Sequence, residues 1–286
     1  MYKRQVARPS TPTYTLTATA INNEVTFEIG DLINDKIQFI YDGTYRTDAV
    51  WVDYQVTQQL TGSTNAETMV QKFAVDGYNY FSEGANYDAD KVCLTSIDYV
   101  RVLRGEDFEF AVNRNYNNGE VTNIRVLDTS NQLVRGLAYS GTTSDLSGQV
   151  IEYVDVPYDV DNYKILLRDS SFNVIKTIYI IYEDECKFDP YKLTYINRYG
   201  AMEDMLFFKR SDKSLTVESQ TYQNNQILSG GTYNVREAQM RKYNVTSKES
   251  MSLNTGFLRE DFNESFTQLM QSEKVWITLD LSLIHI

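Results

Sequence analysis

A period of two runs through most of this chain. Thr13, Thr15, Thr17 and Thr19 alternate with Tyr14, Leu16, Ala18 and Ala20, and Val25, Phe27 and Ile29 alternate with polar neighbours. Successive strand residues point to opposite faces of a sheet, so this spacing builds half-buried strands. A helix needs its apolar residues three and four apart. Composition agrees: 22 Tyr and 13 Phe, with frequent Val, Ile and Thr, suit pleated surfaces, and four Pro argue against a disordered chain. With 42% apolar residues there is material for real cores, and the length suits two or three domains. The longest apolar stretches, such as the Ile-Tyr-Ile-Ile-Tyr run at 178–182, fall far short of the ~20 residues of a membrane span.

The two ends carry a different signal. Leu281-Ser282-Leu283-Ile284-His285-Ile286 is what CTG-TCT-CTT-ATA-CAC-ATC encodes. Met1-Tyr2-Lys3-Arg4-Gln5 is what GTG-TAT-AAG-AGA-CAG encodes when GTG serves as a start, and that string is the reverse complement of the other's first five codons. A complementary pair of this kind matches a transposase-library adapter, so residues 1–5 and 281–286 are expected to be scars without pairing partners. The natural segment would then be 6–280, and His285, the only histidine, would lie outside it. Removing Lys3 and Arg4 from 27 basic residues leaves 25 against 39 acids, a net charge of −14 in place of −12. Without histidine there is no Ser-His-Asp or Cys-His pair and no His-ligated zinc. The acidic balance, with no basic cluster longer than two, disfavours a nucleic-acid partner.

Three β-rich domains in series with two short helices are expected. In the first, 6–105, the strand around Val25–Ile29 leads into a helical turn with Leu32, Ile33 and Ile37 on one side and Asp31 as its cap. The strand at 50–56, the polar turn at 61–65 and a return strand at 69–75 read as a hairpin. Residues 76–98, rich in Tyr, Asn and Asp, read as a long exposed loop. The second domain, 106–185, holds an internal echo: 124–134 and 165–175 each give a strand, an Asp-Ser/Thr-Ser turn opened by Asp128 or Asp169, and a second strand. Its strand spacing suits an immunoglobulin-like sandwich, without the Cys…Trp…Cys signature.

The third domain, 186–280, contains Pro190-Tyr191-Lys192-Leu193-Thr194-Tyr195-Ile196-Asn197-Arg198-Tyr199-Gly200, followed by Glu203, Asp204 and a Phe207-Phe208 pair. Leu215 and Val217 alternate beyond it. Then come Leu253-Asn254-Thr255-Gly256-Phe257, a helix at 260–271 with Phe262, Phe266, Leu269 and Met270 on one face, and a strand entering at Val275-Trp276. This order resembles a group of structural proteins of tailed bacteriophages. Their pattern runs PYKxxxINRYG, an acid, a phenylalanine, LNTGF, a helix and SxxVW. Where those relatives carry an aromatic near Leu206, this chain has Met205-Leu206, a departure that bears on packing. The resemblance implies a virion component, assembled in the bacterial cytoplasm, whose partners are other virion proteins and further copies of itself.

The singled-out residues have plain physical readings. Asn197 to Gly200 forms a turn in which Gly200 can take positive φ, and Arg198 is expected to pair with Glu203 or Asp204. Trp51 and Trp276 sit inside strand patterns and read as core. Glu183-Asp184-Glu185 would be a solvated hinge rather than acid–base machinery, since neighbours on a strand face opposite ways. Asp88-Ala89-Asp90 and Asp159-Val160-Asp161 lack the later ligands of a calcium loop. Asn244 and Asn263 open glycosylation sequons that carry no meaning in a phage. Cys93 and Cys186 read as separate buried thiols, with a disulfide as the alternative. No catalytic, cofactor or metal residue is assigned, and no deep pocket of perturbed carboxylates is expected. The function read here is a non-enzymatic tail, tail-tip or fibre-attachment protein. The alternative, from the Tyr/Asn/Asp-rich stretch 76–98, is a secreted or cell-surface carbohydrate-binding module.

Overall fold

A computed structural model describes residues 2–6, 14–22, 24–37, 39, 41–45, 51–60, 63, 66–83, 92–113, 121–137, 151–159, 163–184, 187–223, 230–232, 235–236, 238–279 and 282–285. In chain order the elements begin with β1 (Tyr2–Val6), β2 (Tyr14–Ala18), α1 (Gly30–Asn34), β3 (Trp51–Leu60) and β4 (Ala66–Val75). Next come β5 (Tyr99–Leu103), β6 (Phe108–Asn113), β7 (Asn123–Leu127), β8 (Leu133–Leu137), β9 (Ile151–Val156), β10 (Lys164–Arg168) and β11 (Val174–Glu183). The last are β12 (Tyr191–Ile196), β13 (Met202–Phe207), β14 (Asp212–Gln223), β15 (Met240–Ser252), α2 (Phe262–Gln271), β16 (Val275–Leu279) and β17 (Ser282–His285). Among the described residues 51% lie in strands and 8% in helices, so the protein is mainly β, as its alternation requires.

By contacts the chain divides into two units rather than three domains in series. The main unit comprises Met1–Asp184, Tyr191–Leu206 and Phe257–Ile286; the hairpin unit comprises Glu185–Pro190 and Phe207–Gly256. The break at Asp184 falls inside the acidic run read as a hinge. Glu183 itself pairs with Arg101 at 2.6 Å and Asp184 with Arg104 at 3.5 Å, both arginines lying on or just after β5. The strands expected to found a third domain, β12, β13 and β16, belong instead to the main unit. Their core explains this: Ile196, Ala201, Met202 and Trp276 pack with Leu94, Ala111 and Ile151 from far earlier in the chain.

Three sheets and a strand pair build the main unit. The first has the order β2-β1-β3-β4, and the β3–β4 hairpin is longer than its sequence pattern suggested, running from Trp51↔Val75 to Gln59↔Ala66. The terminal segments do not lack partners. β1 lies between β2 and β3, and β17 pairs with β16, setting His285 opposite Trp276. Main-chain N–H and C=O groups pair whatever the side chains, so any extended segment can complete an open strand edge. Helix α1 buries Ile33, with Ile37 just after it. Its cap position is Ile29, not Asp31, whose carboxylate lies in the first turn, where the helix dipole favours a negative charge.

The sheet β5-β11-β10-β7-β8 and the pair β6–β9 share one core, including Phe110, Ile124, Val154, Ile165 and Ile178, in a β-sandwich arrangement. This sandwich starts earlier than 106, because β5 pairs parallel to β11. Ahead of β5, the 92–97 segment runs beside β6 through Leu94 N–H to Ala111 O (3.0 Å) and Asn113 N–H to Val92 O (2.7 Å). Its Cys93 is buried, with Sγ 3.5 Å from Thr95 Oγ1, so this part of the expected exposed loop is core. Cys186, Asp88, Asp90 and Asp161 lie outside the described residues.

The internal echo is a pair of matching hairpins in one sheet, with β7 and β10 side by side. Asp128 Oδ1 accepts Ser130 and Gln132 N–H, and Asp169 Oδ1 accepts Ser171 and Asn173 N–H, all at 2.8 Å. Asn131 and Phe172, at matching positions, take φ of 61° and 65°. The Asn173 side chain and the turn amides hold the Asp169 carboxyl below the usual aspartate range. Its contribution is therefore present at neutral pH and lost as pH falls through that lowered value. Asp128→Ala and Asp169→Ala are expected to lower the urea midpoint by similar amounts at pH 7. For Asp169→Ala, the gap to the wild type should close on acidification.

Across β6–β9, Glu109 stands directly opposite Asp155. Burial, then the Asp155 charge, raises the Glu109 carboxyl; burial, then Asp107, raises that of Asp155. Lys192 opposes the shift at Glu109 and Arg135 at Asp155. A raised acid stabilises below its unfolded value and loses that stability as pH rises through the folded one. Asp155 is solvent-exposed, so water screens the repulsion, and Asp155→Asn should stabilise the protein at pH 7 by only a few tenths of a kcal/mol, with no gain at pH 4. Thermal unfolding at the two pH values measures it, and a stability loss at pH 7 would refute the repulsion.

Candidate functional site

The motif turn lies between β12 and β13, where Asn197 is 0% exposed. Its Oδ1 accepts the N–H groups of Tyr199 (3.0 Å) and Ala201 (3.1 Å), and its carbonyl accepts Gly200 N–H (2.9 Å). On the other side of the amide, Nδ2 donates to Leu94 O (2.6 Å) and Glu203 Oε2 (2.9 Å). Gly200 takes φ +76°, and a Cβ there would lie 2.8 Å from Val75 Cβ and 3.0 Å from Asp76 N. Facing it, a Cβ on Gly77 would meet Arg198 O at 2.7 Å, while Tyr78 N–H donates to that same carbonyl at 3.0 Å. Turn and strand end are pressed backbone to backbone.

Arg198 does not pair with Glu203 or Asp204. Its guanidinium donates to Glu83 at 2.6 Å, approaches Glu264 at 4.0 Å, and lies over the Tyr80 ring at 4.4 Å. The reason is strand geometry. Glu203 points inward, where it accepts Ser96 N–H (2.9 Å) and Ser96 Oγ–H (2.5 Å) besides Asn197. Asp204, one residue on and so on the other face, accepts Thr194 Oγ1–H at 2.6 Å and lies 3.4 Å from Lys192 Nζ. That proximity to Asp204 raises the Lys192 ammonium above its ordinary value.

Helix α2 completes the site. Gln268, 0% exposed, accepts Arg198 N–H at 3.1 Å through its side chain and donates to Glu264 at 2.8 Å. Tyr78 donates to the Gln268 carbonyl at 3.1 Å, and Tyr80 to Glu264 at 2.9 Å. Burial pushes Tyr78 up to about 12, and burial with the Glu264 hydrogen bond pushes Tyr80 up, so both hydroxyls are protonated donors at neutral pH. The buried face of α2 is Phe262, Ser265, Gln268 and Leu269; Met270, expected on it, is 81% exposed. Ser265 and Gln268 are the residues that apolar periodicity misses. Two polar side chains at helical spacing from Phe262 are a trace of this docking.

Of the other motif residues, Tyr191 is half-buried on β12, and Trp276 is buried against Phe39 and Tyr41, with ring centroids 5.1 and 5.4 Å away. Trp51 packs partly buried on the same cluster. Pro190 and Gly256 belong to the hairpin unit. There Gly256 takes φ +70° and its N–H donates to Asn254 Oδ1 at 2.7 Å.

The chain matches no model of a known protein family and no curated protein. What the site does is legible from its chemistry alone. Glu203 with Ser96 and Ser265 has the composition of a reactive cluster, yet Glu203 is 8% exposed, and the cavity reaching it and Ser265 holds about 20 Å³, room for one water. A larger cavity of about 520 Å³ does lie between α1, the end of β4 and the 271–274 turn, with Asp31, Asp76 and Glu273 among its lining. Its Lys274 is ion-paired to Asp76 and lies over Phe39, and its Tyr78 hydroxyl serves Gln268. Lys274, Asp76 and Tyr78 are thus committed to joining elements. No described helix is long and apolar enough to cross a membrane.

Proposed function

We propose that the protein is a non-enzymatic structural component of a tailed-phage virion, in the tail, tail tip or a fibre attachment, acting by assembly with other virion proteins and with copies of itself. One observation carries this reading: the residues of the phage-like motif are spent on architecture. Asn197, Arg198, Gly200 and Glu203 tie a turn to β4, to the 92–97 segment and to α2, and none of the four lines the cavity of about 520 Å³. On this reading the β-sandwich is an immunoglobulin-like assembly module. β7, β8, β10 and β11 would be its C, C′, F and G strands, and β6 and β9 its B and E strands.

The carbohydrate-binding alternative would need free aromatic faces. Within the 76–98 stretch that suggested it, Tyr78 and Tyr80 instead serve the motif turn, and Tyr87 lies outside the described residues. Antibody raised against the protein should label intact virions at the tail in electron micrographs, and the gene should sit among portal, terminase and tail genes. A signal peptide and glycan-utilisation neighbours, with tight oligosaccharide binding in calorimetry, would transfer the assignment to the binding module.

A further inference from the structure

In the hairpin unit, β14 and β15 pair antiparallel from Asp212↔Ser252 to Gln223↔Met240, and every residue of both strands except the half-buried Met251 is exposed. A two-stranded ribbon alone in water is marginal; a third strand or a covered face is needed for independent stability. One face has what covering requires. Residues directly across a ladder share a face, so Leu215, Val217, Val245, Met240 and Met251 lie together. The register shift at Asn244, which has φ +49°, falls on β15 and leaves the alternation of β14 intact. The other face is polar apart from Tyr222 and Tyr243, whose rings already meet at 5.7 Å.

We infer that this apolar face of the hairpin is a self-association surface, occupied by the same face of a second copy stacked antiparallel. The charges select that occupant. The apolar face carries Lys213 and Glu249 near its base, across from Met251 and Leu215, and Lys242 toward its tip, across from Thr221. Stacking two copies base to tip about a two-fold axis sets Glu249 of each copy against Lys242 of the other, and Met251 against Met240. A parallel stack would instead place Leu215 over Glu249, burying a charge on an apolar side chain. The area sets the strength. Twelve residues at ~3.3 Å and two strands ~4.8 Å apart give a face of about 40 by 10 Å, or roughly 800 Å² buried over both copies. Stable dimers bury more, so the contact is weak for two free copies and gains force where many copies are held together.

This rests on the assembly reading, and the two fail separately. A protein found in virions but monomeric through this face would sink the inference alone. A dimer through this face that never enters virions would sink the assembly reading alone. Sedimentation equilibrium of the full chain from about 10 µM to 1 mM should show a reversible monomer–dimer equilibrium. Leu215→Lys with Val217→Lys should abolish it while leaving far-ultraviolet circular dichroism unchanged, since both side chains are already in solvent. Glu249→Lys and Lys242→Glu should each weaken it about two- to fivefold, and the double exchange should restore it. A monomer throughout the range overturns the inference. So does a dimer indifferent to these substitutions, as pairing through the strand edges would give.

Discussion

Gly200→Ala should cost about 3 kcal/mol of folding free energy or prevent folding, the largest effect expected of adding one methyl group to this protein. Two penalties combine. At φ +76° an L-residue bears ~1 kcal/mol of backbone strain. The new Cβ would also stand 2.8 Å from Val75 Cβ and 3.0 Å from Asp76 N, and the second of these is main chain that no rotamer change can clear. Relief requires the turn and the end of β4 to separate, which strains the Tyr78 N–H bond to Arg198 O. Gly43→Ala is the control. It has φ +98° but no atom of the described residues within 4 Å of the added carbon, so the conformational share, about 1 kcal/mol, is what should appear. Urea unfolding of both variants separates the terms, and equal midpoints would mean that close approach is not what Gly200 provides.

The features legible in the sequence are those written in local spacing. Alternation specifies strands at Tyr14–Ala18 and in the β3–β4 hairpin but not at Val25–Ile29, where the same period runs into α1 without forming a ladder; Asp128 and Asp169 specify turns because each carboxylate bonds amides two and four residues on. Long-range pairing is invisible to such rules. Arg198 meets Glu83 and Glu264 only because α2 and the 78–83 segment converge on the turn, so its nearest acids in sequence were the wrong partners. Strand β15 carries no continuous period of two, because the irregularity at Asn244 breaks it between Tyr243 and Val245. The burial of 92–97 has a related cause: Val92, Cys93 and Leu94 follow a polar, Tyr-rich run whose composition suggests a loop, and the segment's partner groups come from β6 and from Asn197 and Glu203, distant in sequence. Helix α2 shows the limit of apolar counting, since its most buried position, Gln268, is polar and its Met270 faces solvent.

Asn197→Ala should destabilise the protein by about 4 kcal/mol, because one side chain serves four buried groups. Truncation strands the amides of Tyr199 and Ala201 and the Leu94 carbonyl and leaves Glu203 Oε2 with only the Ser96 N–H, and each buried polar group left without a partner costs roughly 1–3 kcal/mol before relaxation. Asn197→Asp separates the two halves of that role. Its oxygen can still accept from Tyr199 and Ala201, so the turn survives, but donation to Leu94 O is lost and a second carboxylate stands about 2.9 Å from Glu203 Oε2. Two such carboxylates in a buried site cannot both stay ionised, and one of them must take its proton at raised pH. A raised acid contributes stability below its unfolded value and loses it as pH rises through the folded one. The deficit of Asn197→Asp relative to the wild type should therefore be near that of Asn197→Ala at pH 7.5 and shrink markedly at pH 5, whereas the alanine deficit should stay constant. Chemical denaturation at the two pH values decides it, and an aspartate deficit that does not narrow on acidification would show that Glu203 does not face position 197 as described.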